Sequence, residues 1–263
     1  KSEEQEGVEA VKSAIEIGYR HIDTANFYEN EKYVGRGIRE SGIDREKLFV
    51  VSKIWPTSFK TPEVAIEYSM RALNIDYIDM YLLHWPSQNE YARNHAFETL
   101  LKYKEKGYFK EVGVSNFKKE HLEKLKETFG FYPMMNQIEI SPWLQKKEDY
   151  AFCQENDIVM TACVPFAKGN ILNDPKLVEI AEKHGKNVGQ VILRWNIQRG
   201  NCVIPKSSKP HRIADNFNIF DFELDADDMA VIGTMENGNS YCSDSSVFTG
   251  DFWNIEDLRI CPE

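Results

Sequence analysis

Asp23, Tyr28, Lys53 and His84 each stand at or just past the C-terminal end of an apolar run. A carboxylate, a phenol, an ammonium and an imidazole placed in this way could handle protons and charge at one end of a sheet. Lys53 follows Leu48-Phe49-Val50-Val51-Ser52 and precedes Ile54-Trp55, so its ammonium is expected to be part-buried and to need a partner. Asp23 is the candidate for that partner. Taken singly, each residue has an ordinary explanation as a helix cap, a packed ring, a solvated lysine or a satisfied core histidine. Their common placement is what argues for a site.

The elements that must carry these residues follow from the pattern. Strands are expected over 19–25, 48–54, 77–84, 109–116, 134–140, 158–164 and 202–207, and the segments between them have the three-and-four apolar spacing of helices. Ile66, Met70 and Leu73 follow Thr61-Pro62, where Thr61 is expected to cap and Pro62 to take the first turn. Leu122 with Leu125, and Val188, Val191, Ile192 and Trp195, repeat the spacing. Strand and helix in alternation predict an α/β fold with parallel strands and crossover helices. At this length the expected form is a (β/α)8 TIM barrel, whose catalytic groups stand at the C-terminal ends of its strands. Residues 1–263 are expected to form a single barrel domain, because no repeat, low-complexity tract or Gly/Ser linker interrupts them.

A formal charge of −10 over 263 residues argues against a general nucleic-acid or anionic-membrane binder, so any anion site must be local. No apolar run is long enough to span a bilayer. Lys1–Glu6 is charged, unlike a signal peptide. The five cysteines are an odd number without metal-ligand spacing, which reads as free thiols in a reducing cytoplasm with no metal site.

Six blocks carry a resemblance. Gly18-Tyr19-Arg20-His21-Ile22-Asp23-Thr24-Ala25 followed by Tyr28-Glu29-Asn30-Glu31 is one; Ser52-Lys53-Ile54-Trp55, Leu83-His84-Trp85-Pro86 and Gly113-Val114-Ser115-Asn116-Phe117 are the next three; Asn136-Gln137-Ile138-Glu139 and Ile204-Pro205-Lys206-Ser207 complete the set. In order and spacing these resemble the aldo-keto reductases, from about Glu9 to about Asn237. Members of that family have an N-terminal β-hairpin and a first barrel strand before this point, and both are absent from the given sequence. A barrel short of a strand exposes two unpaired edges, so the expectation is that those residues belong to the protein and are missing only from this sequence.

The resemblance implies an oxidoreductase that transfers a hydride from NADPH to an aldehyde or ketone carbonyl, acting as a cytoplasmic monomer on a small molecule. Tyr28 would be the general acid. A free phenol has a pKa of about 10, so Lys53 would supply the cation that makes it a better donor, Asp23 would hold Lys53, and His84 would hydrogen-bond the carbonyl oxygen. Ser115, Asn116 and Gln137 would meet the nicotinamide carboxamide. No GxGxxG follows a strand, so a Rossmann site is not expected. Instead Lys206, Ser207, Ser208 and Arg212 would clamp a 2′-phosphate, favouring NADPH over NADH, while Asp215 and Asn216 would meet the adenine. Phe27, Trp55 and Trp85 would line an aromatic substrate pocket. A C-terminal loop over about 237–263, with Tyr241, Phe248 and Trp253, would close it.

One position departs from the family pattern. Where family members stack a tyrosine on the nicotinamide ring, this chain has Cys163, followed by Val164. The other functional class compatible with the resemblance is a cofactor-binding regulatory or structural protein on the same scaffold, as in potassium-channel β-subunits and lens ρ-crystallins. A barrel hydrolase with paired carboxylates, drawing on Asp23 and Glu139, is a weaker reading because it leaves Lys53 unexplained.

Overall fold

The computed structural model describes residues 3–242. Helix α1 (Glu3–Ile17) opens the described chain, followed by strand β1 (His21–Asp23) and helix α2 (Glu31–Ser41). Strands β2 (Phe49–Ile54), β3 (Ile78–Leu83) and β4 (Phe109–Ser115) then alternate with α3 (Pro62–Leu73), α4 (Glu90–Glu105) and α5 (Lys119–Phe129). Strands β5 (Met135–Glu139), β6 (Val159–Cys163) and β7 (Cys202–Val203) complete the sheet, with helices α6 (Lys147–Glu155), α7 (Pro175–His184), α8 (Val188–Gln198), α9 (Pro210–Phe217) and α10 (Ala226–Gly233). The strands are ordered in the sheet as they are along the chain. This is the alternation and order of a (β/α)8 fold with one strand fewer.

Two compact units divide the chain, the first reaching Asn136 and the second beginning at Gln137. In the first unit the parallel register pairs Asp23 with Val51, Lys53 with Leu82, and Leu82 with Gly113. Side chains alternate across a strand, so Asp23, Val51, Lys53, Met80, Leu82, Gly113 and Ser115 share one face. Val51, Met80, Leu82 and Met135 form its buried apolar cluster. Every residue of β3 is buried, as expected for a parallel strand covered on both faces. In the second unit β6 and β7 pair in parallel, Thr161 with Cys202 and Ala162 with Val203.

The expected strands at the two ends are longer than the observed ones. The expected strand 19–25 contributes a three-residue β1 that pairs along His21–Asp23, and Asn26–Tyr28 turns into a 3-10 helix. At β7, Ile204 N still donates to Ala162 O at 3.2 Å, one residue beyond the two that make up the strand. Thr61 occupies the N-cap of α3 without a side-chain capping bond, and Pro62 opens the helix as expected.

Helices α2 and α3 meet through a close backbone approach. A Cβ on Gly35 would stand 1.9 Å from Leu73 O. One turn further along α2, Arg39 Nη1 donates to the same carbonyl at 2.7 Å and to Asn74 O at 3.1 Å, closing the C-terminus of α3. Gly35→Ala is therefore expected to force the helices apart, lose the Arg39 cap and destabilise the protein by about 2 kcal/mol. Chemical denaturation checks this, and an unchanged midpoint would show that α2 can shift without cost.

Candidate active site

Strand β2 delivers Lys53 into the interior of the first unit, where its side chain is fully buried. A buried ammonium must be paired. Lys53 Nζ donates a short charge-assisted bond to Asp23 Oδ1 at the end of β1 and a second bond, 2.8 Å, to Thr24 O. The 3-10 turn after β1 then places Tyr28 above it, with Nζ 5.1 Å from the centre of the phenol ring. Tyr28 is 46 % exposed, so a charge held out of water lies beneath a ring that solutes can reach.

His84, one residue past β3, is buried, and its Nε2 is 3.4 Å from Tyr28 Oη. Burial, assisted by the positive charge of Lys53, pushes its pKa well below the usual imidazole value, so the ring is neutral. Nδ1 is enclosed without a hydrogen-bond partner. A buried N–H lacking an acceptor costs about 1–3 kcal/mol, which favours the tautomer with its proton on Nε2, the nitrogen beside Tyr28. The structure thus brings the four strand-end residues together: one ion pair, one neutral imidazole donor and one accessible phenol.

Phe27 stacks on Trp55 with ring centres 4.0 Å apart. Trp55 meets His84 edge-on at 4.9 Å and Trp85 at 6.5 Å. Phe27 is exposed, Trp55 half-buried and Trp85 buried, so the first two present an apolar wall beside the phenol and Trp85 backs it. Ser115 closes β4, buried, and Asn116 follows in a left-handed conformation at φ 62, which asparagine tolerates better than most residues. Asn116 Nδ2 donates to His84 O at 2.9 Å and to Ser115 Oγ at 3.1 Å, leaving Oδ1 as the atom able to accept from a ligand amide.

In the second unit Gln137 is buried in β5, and Cys163 ends β6 half-buried. Val164 follows at φ 49, a conformation strained for a β-branched residue. Lys206 and Ser208 are exposed in the turn after β7, while Ser207 Oγ accepts from Lys209 N at 3.1 Å. Arg212 and Asp215 are exposed on the short helix α9, and Asn216 is half-buried there. Phe248 and Trp253 lie outside the described residues.

A sequence profile described as the Aldo/keto reductase family matches residues 1–236. The chain belongs to the aldo/keto reductase family. Among its relatives, a protein of Bacillus subtilis named glyoxal reductase is 46 % identical over 233 residues, covering 88 % of this chain and 83 % of that one. A protein of Escherichia coli named methylglyoxal reductase DkgA is 36 % identical over 248 residues, covering 94 % and 90 %. Among solved structures, the crystal structure of a Gox0644 mutant in complex with NADPH superposes with a TM-score of 0.87 at 36 % identity, covering 94 % of this chain and 90 % of that one.

Two buried carboxylates of this aldo/keto reductase have partners that were not legible in the sequence. Glu31, the first residue of α2, is buried behind Lys53 and accepts from Ser52 Oγ at 2.5 Å and from Ser69 Oγ at 3.0 Å. Ser69 in turn bonds Tyr81 Oη at 2.8 Å. Burial raises the Glu31 pKa to about 7, against the opposing pull of Ser52, Ser69 and Lys53. The position of Glu31 in the first block is visible in sequence, but its partners on β2 and α3 are not. Glu139, at the end of β5, accepts from Ser240 Oγ at 2.7 Å, Tyr241 N at 2.9 Å and Cys242 N at 2.8 Å. Its oxygens are engaged by the C-terminal segment and Asp23 by Lys53, so neither has the environment of a hydrolytic acid.

Proposed function

We propose that this aldo/keto reductase reduces an aldehyde or ketone carbonyl by hydride transfer from NADPH, with Tyr28 as the general acid. The observation that carries the reading is the buried Lys53–Asp23 pair beneath an accessible Tyr28 whose oxygen adjoins a neutral His84. NADPH supplies the hydride when bound. The protein's share is the proton and the electrostatics around the carbonyl oxygen. Tyr28 Oη and the Nε2 proton of His84 both offer hydrogen bonds to an oxygen placed before them, which polarises the carbonyl and develops charge where donors already stand. As the phenol gives up its proton, the Lys53 ammonium favours the phenolate left behind, and Asp23 keeps that ammonium in position. Phe27 and Trp55 supply an apolar wall for the rest of the substrate.

The residues fit the cofactor in their donor chemistry. Asn116 Oδ1, Ser115 and Gln137 would meet the carboxamide, with Cys163 against the ring in place of an aromatic face. Lys206, Ser207, Ser208 and Arg212 would hold the 2′-phosphate, with Asp215 and Asn216 toward the adenine. Two cations and two hydroxyls from the turn after β7 and the start of α9 suit a phosphate. The reading takes residues 1–263 as one domain acting as a cytoplasmic monomer, with the segment from about 237 closing the substrate pocket. The names of the relatives from Bacillus subtilis and Escherichia coli make small dicarbonyls the first substrates to try.

The test is NADPH oxidation with glyoxal, methylglyoxal and a panel of aldehydes and ketones. Tight NADPH binding without turnover of any carbonyl would replace the enzyme with a cofactor-binding regulatory or structural protein. For the phosphate clamp, Arg212→Ala is expected to weaken NADPH binding by about 1.5 kcal/mol, the low end for a charge-assisted bond because Arg212 is exposed. NADH binding should hardly change. Equal losses for the two cofactors would remove Arg212 from the clamp.

A further inference from the structure

Lys53 enters the interior from β2, and because side chains alternate along a strand, the preceding Ser52 leaves on the opposite face. There Ser52 Oγ donates to Glu31 Oε1 at 2.5 Å. Ser69 Oγ of α3 lies 3.0 Å from Glu31 Oε2 and 2.8 Å from Tyr81 Oη of β3. All four side chains are buried. The start of α2 is thus joined to the ammonium by two routes. Glu31 reaches it through Ser52, the neighbour of Lys53 on β2, and Asn30 reaches it through Thr24, whose Oγ1 donates to Asn30 Oδ1 at 2.7 Å and whose carbonyl accepts from Lys53 Nζ at 2.8 Å.

The cluster can hold Glu31 in either protonation state. A carboxylate is served by the two serine O–H groups and by the N-terminal end of α2, of which Glu31 is the first residue. The Ser69–Tyr81 bond can run in either direction, so Ser69 can also accept from the protonated acid and turn its own proton toward Tyr81. Burial opposes the hydrogen bonds and the charge of Lys53, and the balance falls at about 7. Charged groups on the flanking elements are engaged elsewhere: Glu4 and Lys12 of α1 face Arg36 and Glu40, Glu67 of α3 accepts from Tyr103 at 3.1 Å, and Asp79 of β3 pairs with Arg45 at 2.6 Å. Protonated Glu31 leaves Lys53 and Asp23 as a neutral pair, whereas ionised Glu31 adds a negative charge that opposes formation of a phenolate at Tyr28. His84 is neutral over the same range, its pKa being well below the usual imidazole value.

We propose that Glu31 is a positioning residue of the reductase: by holding or releasing its proton it sets the charge behind Lys53, and through Lys53 the readiness of Tyr28 to protonate the carbonyl oxygen. The inference rests on the reading of Tyr28 as the acid. It adds a group that never meets substrate or cofactor and acts across β2, and it gives the direction of the effect: reduction is faster with Glu31 protonated.

The experiment measures single-turnover reduction by NADPH, with methylglyoxal or the fastest carbonyl of the panel, between about pH 5.5 and 8.5 in the parent, Glu31→Gln and Ser69→Ala. The parent rate is expected to fall about fivefold as pH rises through about 7, the order of effect of one added charge, at the effective dielectric of a protein interior, on a partly developed phenolate. Glu31→Gln has no proton to release, so that fall should be absent from its profile. Ser69→Ala removes a hydrogen bond that favours the carboxylate, so its fall should move to higher pH by about half a unit or more. Parent and Glu31→Gln profiles that differ by the same factor at every pH would make Glu31 a structural residue only and overturn the inference while leaving the reductase standing. A fall that stays in place in Ser69→Ala would overturn it even if Glu31→Gln cannot be purified. A parent that binds NADPH and reduces no carbonyl would fail the reductase reading itself, and the role of Glu31 with it.

Discussion

Tyr28→Phe is expected to slow carbonyl reduction by about 10² or more, the usual worth of a positioned general acid, while leaving folding and NADPH affinity near those of the parent. The substitution removes one oxygen from a ring that is already half-exposed, so little packing is lost. The neighbouring contacts survive as well, since Asp23 and Thr24 both accept from Lys53. Lys53→Met should damage the rate by a second route. The phenolate loses its nearby cation and Asp23 loses the partner that neutralises it, so this variant should also lose stability. The two variants therefore separate in a melting experiment even where their rates coincide. Turnover by Tyr28→Phe at the parent's rate would end the assignment of Tyr28 as the acid.

Glu31→Gln is expected to change how stability depends on pH. In the unfolded chain the Glu31 carboxyl ionises near its ordinary value of 4.5, and in the folded protein only near about 7. Between those values the native state keeps a proton that the unfolded state has released. The contribution of this group is therefore fully present below about 4.5, falls as pH rises, and is lost above about 7. The difference amounts to about 3 kcal/mol at most, at about 1.4 kcal/mol for each unit. Glutamine in the same place has no proton to lose. The stability of Glu31→Gln minus that of the parent should accordingly grow by about that amount between pH 4.5 and 7 and level off beyond. Urea unfolding of both proteins across that window reads the difference directly, with other titrating groups cancelling. Parallel curves would mean that Glu31 is ionised throughout, held so by Ser52, Ser69 and Lys53.

What could be read from the sequence depended on distance along the chain. The ends of β2 and β3 were legible because largely apolar runs lead up to Lys53 and His84, and the charge of Lys53 named the kind of partner it needed. The family profile agrees with the blocks that carried the resemblance. Where a strand stops pairing was less legible, as at Tyr19–Ala25, because Arg20, His21, Asp23 and Thr24 leave no clear apolar pattern to mark the ends of the ladder. Two features were hidden entirely. The partners of Glu31 come from β2 and α3, and those of Glu139 from about a hundred residues further on. In sequence each of these is one charged residue among many.

The attachment of the C-terminal segment to Glu139 bears on how the protein can diversify. Among the described residues, Glu139 accepts from the backbone N–H groups of residues 241 and 242 and from one side chain, that of Ser240, and Trp143 O accepts from the backbone N–H groups of Asn237 and Gly238. A tether made mostly of main-chain atoms does not read the identity of the residues it holds. Side chains beyond the serine can be exchanged while the point of attachment stays fixed, so tails transplanted from relatives onto this junction should dock in register, and sequence variation there can be selected for what it touches instead of for how it is anchored.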